Sequence, residues 1–69
     1  MAVRNRLKSI RHKYEMNQKE FAELLGVAQN QYNRYELQRV QPTLELVLRF
    51  SKTLKIPVDE IVYLEILGE

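Results

Sequence analysis

Sixty-nine residues, 45% of them apolar and 29% charged, make one small folding unit: too apolar for a disordered chain and short enough that little surface can be buried. No cysteine is present, which excludes disulfides and thiolate zinc sites as staples. The net charge of +2 is unevenly spread: residues 1–42 carry 8 basic against 4 acidic side chains, residues 43–69 carry 3 against 5, and such a basic front suits a polyanion.

The basic start, "RNRLKSIRHKYE", never becomes the apolar run of a signal peptide, and no stretch approaches the about 20 apolar residues of a membrane span. A cytoplasmic location without membrane contact is expected. Leu7, Ile10 and Tyr14 fall at i, i+3 and i+7, predicting an amphipathic helix from about Arg4 to Tyr14. In "MNQKEF", Asn17 is a good N-cap, Glu20 completes a capping box, and Met16 with Phe21 can staple the turn. A second helix therefore starts at Gln18 and ends at Gly26, because glycine takes the left-handed C′ conformation without a Cβ clash. A third runs from about Gln29 to Leu37, with Val27 and Tyr32 as its staple around Ala28, a poor cap that has no side-chain acceptor.

"LQRVQPT" reads as a loop, ended by Pro42 and by Thr43, the N-cap of a fourth helix to about Leu54. Leu44, Val47, Leu48 and Leu54 line one side of it and Leu46 and Phe50 another, so it is expected to sit centrally. Pro57 opens a short fifth turn, "PVDEI". In the tail, six of the seven residues from Ile61 to Leu67 are apolar, which predicts burial against something. Val62, Leu64 and Ile66 alternate like a strand while Ile61, Leu64 and Leu67 fit a helix, and both readings stay open.

Two helices joined across a glycine turn, the second polar on its outer face, are the parts of a helix-turn-helix. In the 20 residues from Gln18, apolar residues are needed where Phe21, Leu25, Val27, Tyr32 and Tyr35 stand, a small residue at Ala22 and glycine at Gly26. All seven requirements are met, which a single frame does by chance about once in 10⁴. Gln29, Asn30, Asn33 and Arg34 then share one outward face. Gln and Asn can bridge the donor and acceptor of adenine, and Arg can fork the two acceptors of guanine, whereas a merely solvated helix more often carries Glu and Lys pairs.

Residues 4–62 resemble the phage repressor and Cro (XRE) family of helix-turn-helix DNA-binding domains, through "RLKSIRHKYEMNQKEFAELLGV", "YNRYE" and "PTLELVLRFSKTLKIPVDEI". The resemblance implies an all-α, five-helix domain like that of lambda repressor, with a short terminal strand as one reading of the tail, and residues 63–69 as a dimerisation segment. It implies a transcriptional regulator that reads operator DNA as a two-fold dimer with its third helix in the major groove. Ala28 replaces the usual Ser or Thr, Tyr32 the usual Val or Ile, and Gln38 a frequent glycine. Carried onto this chain, the motif makes Gln29, Asn30 and Arg34 base readers, with Ala28 near a thymine methyl; Asn33, on the same face, is read as a further base contact, with a backbone contact as the open alternative. Phosphate contacts fall to Gln18, Lys19, Gln31, Arg39, Gln41 and Thr43, and Arg11 with Glu36 to a structural ion pair. The apolar tail and the weakness of one small domain on DNA assign dimerisation to Ile61, Val62, Tyr63, Leu64, Ile66 and Leu67, and some relatives pair such a tail with the N-terminal segment.

Competing chemistry finds little support. No nucleophile with a base, Walker loop or metal cluster is present, and Asp59 and Glu60 suit the first turn of a helix. His12 has no metal-ligand neighbours, and Tyr14, Tyr32 and Tyr35 read as core. No cofactor, metal or small-molecule ligand is expected, since a chain of this size leaves little room for a cavity. The competing reading is a protein-interaction module or antitoxin component on the same fold.

Overall fold

A computed structural model describes residues 2–66. In chain order the elements are β1 (Ala2–Asn5), α1 (Leu7–Lys13), α2 (Gln18–Leu25), α3 (Gln29–Glu36), α4 (Leu44–Leu54), α5 (Val58–Ile61) and β2 (Val62–Glu65). Five helices surround one core of Leu7, Ile10, Phe21, Ala22, Leu25, Tyr32, Tyr35, Val47, Phe50, Leu54 and Ile61.

The local signals act as expected. Asn17 Oδ1 accepts the Glu20 amide at 2.7 Å and Glu20 Oε1 accepts the Asn17 amide at 2.9 Å, a complete capping box. Gly26 ends α2 at φ 75°, and Thr43 Oγ1 caps α4 by accepting the Leu46 amide at 3.2 Å. Phe21 meets Tyr14 and Tyr32 edge to face, at centroid distances of 5.8 and 5.6 Å, which ties α2 to the end of α1 and to α3.

Three expectations are corrected. The first helix begins at Leu7 and not Arg4, because Ala2–Asn5 are drawn into a strand. Leu44 and Leu48 face solvent, since the stripe of Val47, Phe50 and Leu54, with the half-buried Leu46 beside it, is what meets the core; an all-round apolar helix in a small domain cannot be covered on every side. Tyr14 is exposed along one side, although its hydroxyl donates to Leu54 O at 3.0 Å.

Within the tail, Val62–Glu65 form a strand. β1 and β2 pair antiparallel within the chain, in the register Ala2↔Glu65, Val3↔Leu64, Arg4↔Tyr63 and Asn5↔Val62. Alternation therefore puts Val3, Leu64 and Ile66 on one face, both Leu64 and Ile66 being exposed. On the other face, Arg4 pairs with Glu65 at 3.4 Å and the Arg6 guanidinium lies 4.1 Å over the Tyr63 ring.

Candidate nucleic-acid interface

α2 and α3 are set against each other by the left-handed turn at Gly26 and the close approach that Ala22 permits, with Phe21, Leu25, Tyr32 and Tyr35 turned inward. The inward tyrosines fix the rotation of α3 about its own axis. Ala28, Gln29, Asn30 and Arg34 are left exposed on the opposite side. Gln31 is half-buried and links two neighbours: its Oε1 accepts from Arg34 Nη1 at 3.4 Å and its Nε2 donates to the Tyr35 hydroxyl at 3.5 Å.

Two residues of this face differ from a simple outward row. Asn33 is half-buried, and its Oδ1 is enclosed with no hydrogen-bond partner among the described residues. Asn30 Oδ1 accepts the Gln31 amide at 2.9 Å, whereas Ala28, although extended like a cap at φ −66° and ψ 142°, makes no side-chain cap bond. Asn30 thus satisfies a first-turn donor that an N-cap Ser or Thr ordinarily takes, leaving its amide N–H groups free to donate.

The electrostatic anchor of α3 lies behind this face. Arg11 Nε donates to Glu36 Oε2 at 2.7 Å and Arg11 Nη2 to Glu36 Oε1 at 3.3 Å, while Gln18 Nε2 adds a 3.0 Å bond to Glu36 Oε1. Burial pushes the Glu36 carboxyl up, but hydrogen bonds from Arg11, Tyr32 and Gln18 outweigh it and hold the group below its usual range. The bond to Glu36 raises Arg11 against the opposing effect of burial, and burial, first of all, raises the Tyr32 hydroxyl far above an ordinary tyrosine. One carboxylate consequently joins α1, α2 and α3.

The phosphate candidates form a less uniform set. Lys19, Arg39 and Thr43 are exposed, and the Gln18 backbone amide opens α2, where helix geometry leaves donors without an intrahelical partner. The Gln18 and Gln41 side chains are held by the protein: Gln18 by Glu36, and Gln41 by Asn5 and Gln38, at 2.8 and 2.9 Å. The Gln41 carbonyl oxygen is directed at Asn5 rather than outward.

Of the tail residues, Ile61 is 0% exposed and belongs to the core, which corrects its assignment to a dimer contact. Val62 and Tyr63 are half-buried, Leu64 and Ile66 are 61% and 56% exposed, and Leu67 lies outside the described residues. A half-open groove of about 360 Å³ between α1 and α5 is lined by Arg6, Ile10, Lys13, Tyr14, Asp59 and Glu60 among others, more space than the chain length suggested.

Sequence reasoning missed Asn5, the one polar residue that is buried among those described. Its amide joins Tyr35 O, Gln41 and Leu7 N, and its backbone meets the side chain of Gln38, which has φ 61°. The only advance signal was Gln38 standing where a glycine is common.

A family model described as helix-turn-helix matches residues 7–61, from the first core residue of α1 to the end of α5. A search of the curated proteins found no match. The matched span contains the whole α2–turn–α3 unit and the Arg11–Glu36 pair.

Proposed function

Because this chain belongs to the helix-turn-helix family of phage repressor and Cro (XRE) type, a DNA-binding regulatory family and not an enzyme family, we propose that it is a repressor that reads a near-palindromic operator as a homodimer. Binding to double-stranded DNA follows from the family; repression, the operator symmetry and the dimer are the further step.

The observation that carries the proposal is the exposed side of α3. Gln29, Asn30 and Arg34 stand together there, while the only acid of the helix, Glu36, is turned inward to Arg11. A surface of amide and guanidinium donors suits base edges and repels no phosphate. Arg34 would fork a guanine, Gln29 and Asn30 would bridge or donate to adenine or thymine edges, and Ala28 would touch a thymine methyl. Asn33 is the deepest of the proposed base readers. Around them the Gln18 amide, Lys19, Gln31, Arg39, Gln41 and Thr43 would grip phosphates and set the register.

The partner protomer would dock through the tail, with the exposed Leu64 and Ile66 as its apolar centre, Val62 on the same face and Tyr63 contributing from the opposite one. Two α3 helices about 34 Å apart would then enter successive major-groove faces.

Selection of bound duplexes from a random DNA pool tests the reading. Enrichment of a two-fold sequence with half-sites about 10 base pairs apart is the expected result. Recovery of unenriched DNA with uniformly weak affinity would remove sequence readout. An interaction module would instead bind DNA weakly and hold its true partner with little response to salt, where a DNA complex weakens with a log–log slope of about −0.9 per phosphate neutralised.

A further inference from the structure

Asn5 sits at the end of β1 with 5% of its surface exposed, and all of its hydrogen-bonding groups are used. Nδ2 donates to Tyr35 O in the last turn of α3 at 2.9 Å and to Gln41 Oε1 at 2.8 Å. Oδ1 accepts the Leu7 amide, the first of α1, at 3.1 Å. The Asn5 backbone N–H and C=O meet Gln38 Oε1 and Nε2 at 3.1 and 3.0 Å, the two-bond exchange that a neighbouring strand residue would make. Gln41 Nε2 closes the ring on Gln38 Oε1 at 2.9 Å.

Gln38 holds this arrangement from a left-handed backbone, φ 61°, which disfavours any residue with a Cβ. Glycine would relieve that strain and lose every one of the side-chain bonds. The next residue continues the chain of contacts: the Arg39 amide donates to Arg34 O at 3.1 Å. Strand β1, the end of α3 and the loop to α4 are thus fastened at one point, and β1 is itself held by β2.

We propose that Asn5, Gln38 and Gln41 are positioning residues for DNA readout, fixing the end of α3 that bears Arg34 and the loop that bears Arg39 to the terminal sheet. The proposal rests on sequence readout by α3 and adds what sets its angle. Closure of the sheet by β2 becomes a condition for discrimination between bases, because β1 is the surface on which the reading unit is aligned. A misaligned α3 would keep its charges and its attraction to phosphate but lose the short range over which amides and guanidinium groups tell bases apart.

The test compares Gln38→Gly and Gln41→Leu with the unchanged protein. Melting temperature is measured first, and affinities for a selected operator and for random duplex then follow at a temperature where each variant is folded. Gln38→Gly is expected to melt lower than the parent despite its relieved backbone, and both variants to lose about tenfold in the ratio of operator to random affinity. A higher melting temperature for Gln38→Gly, or an unchanged ratio in both variants, overturns the proposal; a lower melting temperature with an unchanged ratio assigns the network to stability alone. If the unchanged protein itself shows no preference, sequence readout falls and this alignment falls with it. A selective parent with equally selective variants removes only the alignment.

Discussion

Arg11 on α1 and Glu36 at the end of α3 form a two-point ion pair, Nε to Oε2 at 2.7 Å and Nη2 to Oε1 at 3.3 Å, with side-chain exposures of 13% and 4%. A fork of this kind fixes direction as well as distance, because both groups are planar. It holds the last turn of α3 beside α1 and, through Gln18, beside the start of α2. The exposed side of α3 therefore rests on a charge pair that never faces solvent fully.

Removing one partner strands the other. Glu36→Ala is expected to cost about 3 kcal/mol, because Arg11 keeps its charge in a largely dry place. A chemical denaturation curve measures this, and an apolar replacement of both residues together should cost less than the single change. A loss under 1 kcal/mol would show that water reaches Arg11 freely.

The same pair gives stability a direction with pH. Glu36 titrates below its ordinary value of 4.5, so its contribution is fully present above that value and is lost as pH falls through the lower, folded one. Melting temperature should therefore hold between pH 7 and 5 as far as Glu36 is concerned, then begin to fall below about pH 4.5. Glu36→Gln should flatten part of that acid slope. An equal slope in the variant would assign acid unfolding to other carboxylates.

Arg34 and Arg39 should fail differently on DNA. Arg34→Ala is expected to cost about 1 to 3 kcal/mol on the selected operator and to relax choice at one base pair. Arg39→Ala should weaken all sequences alike and lower the salt slope by about 1. Titrations on operator and random duplex at several salt concentrations separate the two, and equal losses for Arg34→Ala on both would exclude base contact.

Ala28→Ser should stabilise α3. The backbone at Ala28 already has the extended cap conformation, but Asn30 has taken the Gln31 amide, so the gain belongs near about 0.5 kcal/mol, the low end for an N-cap. Thermal melting reads the gain. Weaker operator binding alongside it would support the thymine-methyl contact of Ala28.

Leu64→Lys and Ile66→Lys should oppose dimerisation while sparing the core, since both side chains are exposed in the single chain and, among the described dimer candidates, Ile61 alone is fully buried. Sedimentation at tens of micromolar, the range of weak dimers, is expected to show a dimer for the parent and a monomer for the variants. A parent that stays monomeric there would end the tail-mediated model of operator binding.

Much of this protein was decided within a few residues of chain. The capping box of Asn17 and Glu20, the glycine stop at Gly26 and the Thr43 cap each involve groups one helical turn apart, so their residue types alone specify them. The spacing from Gln18 to Tyr35 then fixed the two-helix unit and the side of α3 that would be polar. The Arg11–Glu36 pair was available only through resemblance to a family, because nothing local joins residues 25 positions apart.

Tertiary structure decided what local pattern left degenerate. Leu44 and Leu48 are as apolar as Val47, and only the direction of packing chose which stripe of α4 to bury. The tail fitted two periods until Ala2–Asn5 offered a strand for Val62–Glu65 to pair with, while Ile61 stayed at the end of α5 and lies in the core. Asn5 met Gln38 across 33 positions and gave a strained backbone its compensation. Short-range hydrogen bonding is written in neighbouring side chains, whereas burial and long-range pairing depend on which surfaces meet once the chain has closed on itself.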